Sequence, residues 1–368
     1  MKVLVYQIGS LGDTIVLIPS LRAIRKHFGR GAHLAVLHNV DRAGVVTTKE
    51  VLQCTPLADE FIPYQFEEPV ARRLRTACSL WRQLRARRFD AVVSLLPSER
   101  PPAALRRDAW FFRTCGIPRV IGFETVPDSV VRPRQDGRAM PVQNEALILL
   151  QRLRDSGIPA EANGHLRIPL LQPGRGDRAA AAAWLAASRH HPQRALIALC
   201  PGCKKPANSW PLERFIELGR RILSTGSAEI VILGGPTDRA AAQRLMTALS
   251  GEALNAAGEF SVSGSAALLS QCQFLVGLDT GTTHLAAAVG VPCVVIQSAN
   301  SHAGHWDPLG ESHTVLRQSV PCAGCLCTEC PVAGHPCMTG ISVDDVWQIV
   351  GQALLPAAAF QAAHRARA

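Results

Sequence analysis

The sequence predicts an α/β protein made of two doubly wound units with parallel sheets. Three observations carry this. A β-rich run at the start passes through a glycine-containing loop into a helix-period stripe, the same alternation restarts near Ala195, and 368 residues at 47% hydrophobic can bury two cores.

The elements follow in order. MKVLVYQIGSLGDT carries one Lys and meets Asp13 before any small-residue cleavage site, so Val3 to Ile8 reads as a strand and not as a signal peptide. Ile15, Ile18, Leu21, Ile24 and Phe28 recur at helical spacing and predict the first helix. Leu34 to Leu37 is a second strand; Val70, Leu74, Ala77, Trp81 and Leu84 mark a helix that leads to the strand Ala91 to Leu96. Ile168 to Pro192, with its Pro/Gly-rich PLLQPGRGDR and an Ala-rich helix, separates the two sets. We therefore expect an N-terminal domain over 1–175, a C-terminal domain over 176–350 and a tail over 351–368 that frays. In the second domain the expected strands are Ala195 to Cys200, Glu229 to Leu233, Phe274 to Gly277 and Cys293 to Gln297. The expected helices cover Leu212 to Leu223, Arg239 to Leu249, Thr283 to Val289 and Val343 to Leu355.

Composition narrows the function. Residues 1–170 hold 25 Lys+Arg against 16 Asp+Glu, whereas 171–368 hold 14 against 13. The excess base suits an acidic partner touching the first half, although 34 of the 39 basic residues are Arg and a coding bias would give the same count. No run approaches the roughly 20 apolar residues of a membrane-spanning helix. Twelve Cys without a secretory signal imply reduced thiols in a cytoplasm.

Four places offer chemistry. Gly9-Ser10-Leu11-Gly12-Asp13 lies between the first strand and the first helix, where open α/β sheets bind ligands; Asp13 either caps its own helix or takes a proton from a hydroxyl. Asp279-Thr280-Gly281-Thr282-Thr283-His284 opens a small-residue helix whose amides and hydroxyls suit a diphosphate, or it merely caps that helix. Gly202, Lys204, Lys205 and Asn208 follow a strand and can meet a phosphate, and Asp238, after Gly234-Gly235, can accept from ribose hydroxyls or cap the next turn. Cys322, Cys325, Cys327, Cys330 and Cys337, with His335 among them, satisfy the count for a tetrahedral zinc or iron site, but the second pair lacks the close spacing of a zinc ribbon, which favours packed or redox-active thiols in a surface loop.

Together QIGSLGDTIVLIPSLRAIRKHF, PGCKKPANSWPLERF, ILGGPTDR, GLDTGTTHLAAAVGVPCVVI and PCAGCLCTECPVAGHPCM resemble glycosyltransferase family nine, the heptosyltransferases of lipopolysaccharide core assembly, from Met1 to about Val350. The resemblance implies the GT-B fold, two facing Rossmann-like domains with a cleft between them. It also implies a metal-independent, inverting transfer of heptose from ADP-heptose to a core or other surface-glycan hydroxyl. Asp13 then looks like the general base beside Gly12, Asp279 to His284 like the donor diphosphate loop, and Asp238 like the ribose-binding acid. Asn208 stands where the family often has Lys, so Lys204 or Lys205 supplies the charge or the donor is held differently. Arg72, Arg73, Arg106 and Arg107 are expected to hold phosphates of a glycolipid acceptor or of an anionic inner-membrane face, placing the protein in the cytoplasm or peripherally on that membrane. Other nucleotide sugars, or protein and small-molecule acceptors, suit the same frame.

Two other classes fit less well. An NAD-dependent oxidoreductase wants G-x-G-x-x-G after a strand, which the first loop lacks. A nucleic-acid partner is not expected: aromatic residues make up 5% and the basic residues form no single run.

Overall fold

The computed structural model describes residues 1–40, 46–53, 55–65, 70–161 and 165–354, excluding the side chains of 70–72. Residues 355–368 of the expected tail, and the Arg72 side chain, lie outside the described residues; residues 351–353 instead complete the helix Val343–Ala353. The chain divides into two compact units, Met1–Gln135 with Met140–Leu170, and Asp136–Ala139 with the chain from Leu171.

The first unit holds β1 (Lys2–Tyr6), β2 (His33–Asn39), β3 (Glu60–Tyr64), β4 (Ala91–Ser94) and β5 (Arg119–Ile121) in one parallel sheet of order β3-β2-β1-β4-β5. The chain runs outward from β1 to β3, then returns to place β4 on the other side of β1. The order therefore reverses between β1 and β4, and a crevice opens there beyond the strand ends. Leu4, Val92, Leu105 and Phe112 lie in the core of this sheet and its helices.

A short hairpin of β6 (Arg134–Gln135) and β7 (Arg138–Ala139) comes next. The second unit then repeats the scheme with β8 (Ala195–Cys200), β9 (Ala228–Ile232), β10 (Ala253–Asn255), β11 (Phe274–Leu278), β12 (Cys293–Ile296) and β13 (Thr314–Leu316). Their order is β10-β9-β8-β11-β12-β13, all neighbours parallel, so the reversal falls between β8 and β11. Helices Leu212–Ser224 and Val343–Ala353 share its core: Phe215, Leu218, Val346 and Val350 are buried, and the buried Trp210 indole N–H donates to the Ile341 carbonyl at 2.9 Å.

One expectation needs correcting. The stripe from Ile15 to Phe28 is two helices, Leu11–Val16 and Ile18–Phe28, joined at Leu17. Pro19 has no N–H to offer the Ile15 carbonyl, so the ladder is interrupted while the apolar face runs on.

A buried ion pair ties the helix Arg175–Ser188 to the second sheet. Glu229 in β9 accepts from Arg189 Nε at 2.7 Å and from the His190 amide at 2.7 Å. Burial pushes the Glu229 carboxyl up, but Arg189 and the two His amides outweigh it and hold it below the usual range. A depressed folded pKa stabilises above the unfolded value of about 4.3, and that contribution is lost as pH falls through the folded value. Glu229→Gln should cost about 3 kcal/mol at neutral pH, because Arg189 is left without its counter-charge, and it should flatten the acid limb of stability against pH. Urea melts from pH 3 to pH 7 read both effects, and an unchanged acid limb removes Glu229 from the account.

Candidate active site

In the first unit the loop after β1 brings a carboxylate to the crevice. Ser10 is the N-cap of helix Leu11–Val16 and Asp13 is its third residue. Asp13 Oδ2 accepts from the Ser10 amide at 2.7 Å and from the Ser10 hydroxyl at 3.0 Å. The capping role is thus real, but it occupies one oxygen; Oδ1 carries no hydrogen bond to the protein, and the residue is half-buried. Gly9 makes the close packing feasible, since a Cβ there would lie 2.4 Å from Asp13 Cβ. The Gly9 amide donates to Asn39 Oδ1 at 2.9 Å, which ties the loop to the end of β2.

Across the same crevice, the loop after β4 is fixed by residues that carried no motif. Ser98 donates to the buried Glu145 through its amide at 2.8 Å and its hydroxyl at 2.5 Å. Buried Arg152 donates to the Leu96 and Ser94 carbonyls at 2.7 and 3.3 Å. Burial lowers the Arg152 pKa, with Glu145 and Glu124 opposing the change.

The expected acceptor arginines separate into different settings. Arg106 is exposed on helix Pro102–Thr114, whereas Arg107 is bound to Asp108 at 2.6 Å. Arg73 and Arg107 border a cavity of about 570 Å³ whose walls include Tyr6, Tyr64, Leu74 and Trp110. Burial, with Asp108 nearby, pushes the Tyr6 hydroxyl to about 12; it remains protonated and donates to Asp108 at 3.4 Å.

In the second unit the loops after β8 and β9 meet. A Cβ on Gly202 would sit 2.3 Å from Asp238 Cγ and Oδ1, and one on Gly234 2.7 Å from Asp238 Cβ. Asp238 Oδ2 accepts from the Gly235 amide at 2.8 Å. Like Asp13, this aspartate caps its own turn with one oxygen, and it lies flush on a glycine backbone where no side chain intervenes. Asn208 is held by its carbonyl oxygen, which accepts from Ser298 Oγ at 2.8 Å and Asn300 Nδ2 at 3.2 Å. Its amide nitrogen remains to donate. Lys204 and Lys205 stand exposed on the same loop.

Thr280 is the N-cap of helix Gly281–Ala288. The first amides of a helix have no intrahelical acceptor, so those of Gly281 and Thr282 suit an anion. Thr280 Oγ1 is buried with no hydrogen-bond partner, as is His284 Nδ1. Thr283 is committed differently: its hydroxyl donates to the Leu278 carbonyl at 2.6 Å and serves the fold. His284 Nε2 lies 3.6 Å from Asp279 Oδ1, and Gln297 Nε2 reaches Asp279 Oδ2 at 3.5 Å. Gln297 in turn accepts from Arg317 at 2.7 Å, and Arg317 also pairs with Asp307. Asp279 therefore links His284 and Gln297 beside the helix start at Thr280.

Both units thus present polar loops at the carboxyl ends of a parallel sheet where its order reverses, the arrangement of a Rossmann-like nucleotide-binding protein. The chain belongs to glycosyltransferase family 9 (heptosyltransferase), whose model matches residues 77–335. Lipopolysaccharide heptosyltransferase 2 of Salmonella typhimurium is 29% identical over 154 residues, 40% of this chain and 43% of that protein. The chain spans about half the length of the curated relatives it matches. Among solved structures, a glycosyl transferase family 9 protein from Veillonella parvula superposes with a TM-score of 0.74 at 20% identity, over 96% of this chain and 97% of that one. The ADP-heptose lps heptosyltransferase II of E. coli gives 0.67 at 21%, over 96% and 99%. These likenesses bear out the α/β fold of two Rossmann-like units and the family expected from the sequence.

Proposed function

We propose that the protein is an inverting glycosyltransferase that moves heptose from ADP-heptose to a hydroxyl of a lipopolysaccharide-core acceptor. The observation that carries it is the helix start at Thr280. A buried hydroxyl without a partner and free amides stand at the switch point of the second sheet, beside loops that offer Asp238 and Asn208. Family membership, and relatives named as lipopolysaccharide heptosyltransferases, support the choice of sugar and acceptor.

Each residue then has a part. Asp13 accepts the proton of the attacking hydroxyl through Oδ1 while Oδ2 keeps the turn in place. The C–O bond to the anomeric carbon forms as the bond to the ADP oxygen breaks, and negative charge gathers on the diphosphate. The Gly281 and Thr282 amides and the Thr280 hydroxyl are aimed at that charge before it develops; Asn208 adds a neutral donor and Lys204 or Lys205 the positive charge. Asp238 holds the ribose hydroxyls. No step requires a metal at the reacting atoms, because these donors supply the stabilisation.

We assign the acceptor, a phosphorylated glycolipid, to the first unit, with Arg73 and Arg106 meeting phosphates there. Among the described residues no helix is long and apolar enough to cross a membrane; we further place the meeting with a lipid-linked acceptor at the cytoplasmic face of the inner membrane, through its phosphates. Nucleotide binding tests the donor half of the reading. ADP at 100 times its Kd should stabilise the fold by about 2.7 kcal/mol, with UDP, GDP and NAD giving less at equal concentration. Stabilisation by UDP and not ADP would assign a different donor, and stabilisation by NAD alone would return the oxidoreductase.

A further inference from the structure

We propose that the cavity between helices Val70–Arg87 and Pro102–Thr114 takes one acyl chain of an anionic membrane phospholipid, with the head-group phosphate at Arg73 and Arg107. The cavity, of about 570 Å³, lies in the first unit at the carboxyl ends of β1, β2 and β3. Its floor is Tyr6, Leu37 and Phe112, all buried in the core. Half-buried Leu80 and Phe111 continue the wall. Leu74 and Trp110 stand at the rim, 72% and 67% exposed.

The apolar stripe of the first helix is covered at one end only. Of Leu74, Ala77, Trp81 and Leu84, the last is fully buried, while Leu74 and Ala77 are exposed. A helix packed by half of its apolar face leaves the other half for a further apolar group. The polar groups at the cavity are already engaged. The Tyr6 hydroxyl donates to Asp108 at 3.4 Å, and Asp108 Oδ1 accepts from Arg107 Nε at 2.9 Å and Nη2 at 2.6 Å. A sugar would find few hydrogen-bond partners there, whereas an alkyl chain gains by leaving water for aliphatic and aromatic walls.

Charge selects the kind of lipid. Helix Val70–Arg87 carries six Arg and no Asp or Glu, and Pro102–Thr114 adds Arg106, Arg107 and Arg113. The single carboxylate of the two helices, Asp108, is buried and turned to Tyr6. Further along the first helix, Arg82, Arg85 and Arg88 border a second depression. Exposed Leu74 and Trp110 among so many guanidinium groups complement a bilayer surface that is apolar beneath and negative at its head groups. Neither the donor sugar nor the transfer step enters, so the site stands or falls separately from the reaction. Arg73 also serves the acceptor assignment, and the test therefore turns on Leu74 and Ala77.

Calorimetric titration of the full chain tests it. Myristoyl lysophosphatidylglycerol, kept below its micelle concentration, should bind to about one equivalent. The zwitterionic myristoyl lysophosphatidylcholine should bind about fivefold more weakly, and glycerol 3-phosphate at least about a hundredfold more weakly. Ala77→Trp fills the cavity from an exposed position and Leu74→Glu puts a negative charge at its rim. Each should weaken the anionic lysolipid at least about tenfold, and reduce retention on phosphatidylglycerol vesicles, with the urea midpoint unchanged. Glycerol 3-phosphate binding as tightly as the lysolipid, equal affinity for the two lysolipids, or an unaltered affinity in Ala77→Trp overturns the site. So does self-association through this face that the lysolipid fails to reverse, which would assign it to a second copy of the chain. Because the three titrations of the unaltered protein decide first, a variant that fails to fold leaves the test intact.

Discussion

Asp13→Asn should lower kcat by about 10²- to 10⁴-fold while leaving the affinity for ADP-heptose within twofold. That range corresponds to about 2.7 to 5.5 kcal/mol of transition-state stabilisation. The amide still accepts the Ser10 N–H, so the local turn survives and the melting free energy should fall by no more than about 1 kcal/mol. This split separates the two parts of Asp13. A residue that only caps its helix would show the stability loss with near-normal turnover. Rapid-quench assays beside urea melts give both numbers on one variant.

The second large effect concerns the donor. Gly202→Val places a side chain where Asp238 Cγ and Oδ1 now lie, 2.3 Å from an ideal Cβ. The carboxylate must leave, and the ribose loses charge-assisted hydrogen bonds of about 2 kcal/mol, about a 30-fold weaker Kd for ADP. Gly202 is at the end of a central strand and not in the core, so folding should be affected less than binding. Calorimetric titration with ADP measures the change. An unaltered Kd would place the ribose elsewhere and leave Asp238 as the cap it visibly is through the Gly235 amide.

These two positions show how much could be read in advance. Asp13 and Asp238 were legible because each follows a β-rich run and a glycine, and that local order marks the end of a strand in an open sheet. What the order of residues does not carry is distance. That Gly202 packs on Asp238, 36 positions away, depends on β8 and β9 lying side by side. Glu145 and Arg152 escaped notice for the same reason: they sit on an ordinary amphipathic helix, Glu145–Asp155, and acquire meaning only through Ser98 and Leu96.

The strands divide in the same way. The central ones, such as β1, β2, β8 and β11, are buried on both faces and read as continuous apolar runs. Edge strands β3, β5, β10 and β13 were not anticipated. They are three to five residues long, pair on one side, and carry residues such as Pro63 or Arg119 that break the pattern. The helix expected across Ile15 to Phe28 failed for the opposite reason, since a correct apolar period conceals the missing N–H of Pro19.

The most direct test of the central claim is product analysis with ADP-heptose and a heptose-deficient lipopolysaccharide core. The account predicts one ADP released for each core that gains one heptose, with the product bond inverted relative to the donor and the reaction lost in Asp13→Asn. Retention of configuration, or full turnover by that variant, would contradict it.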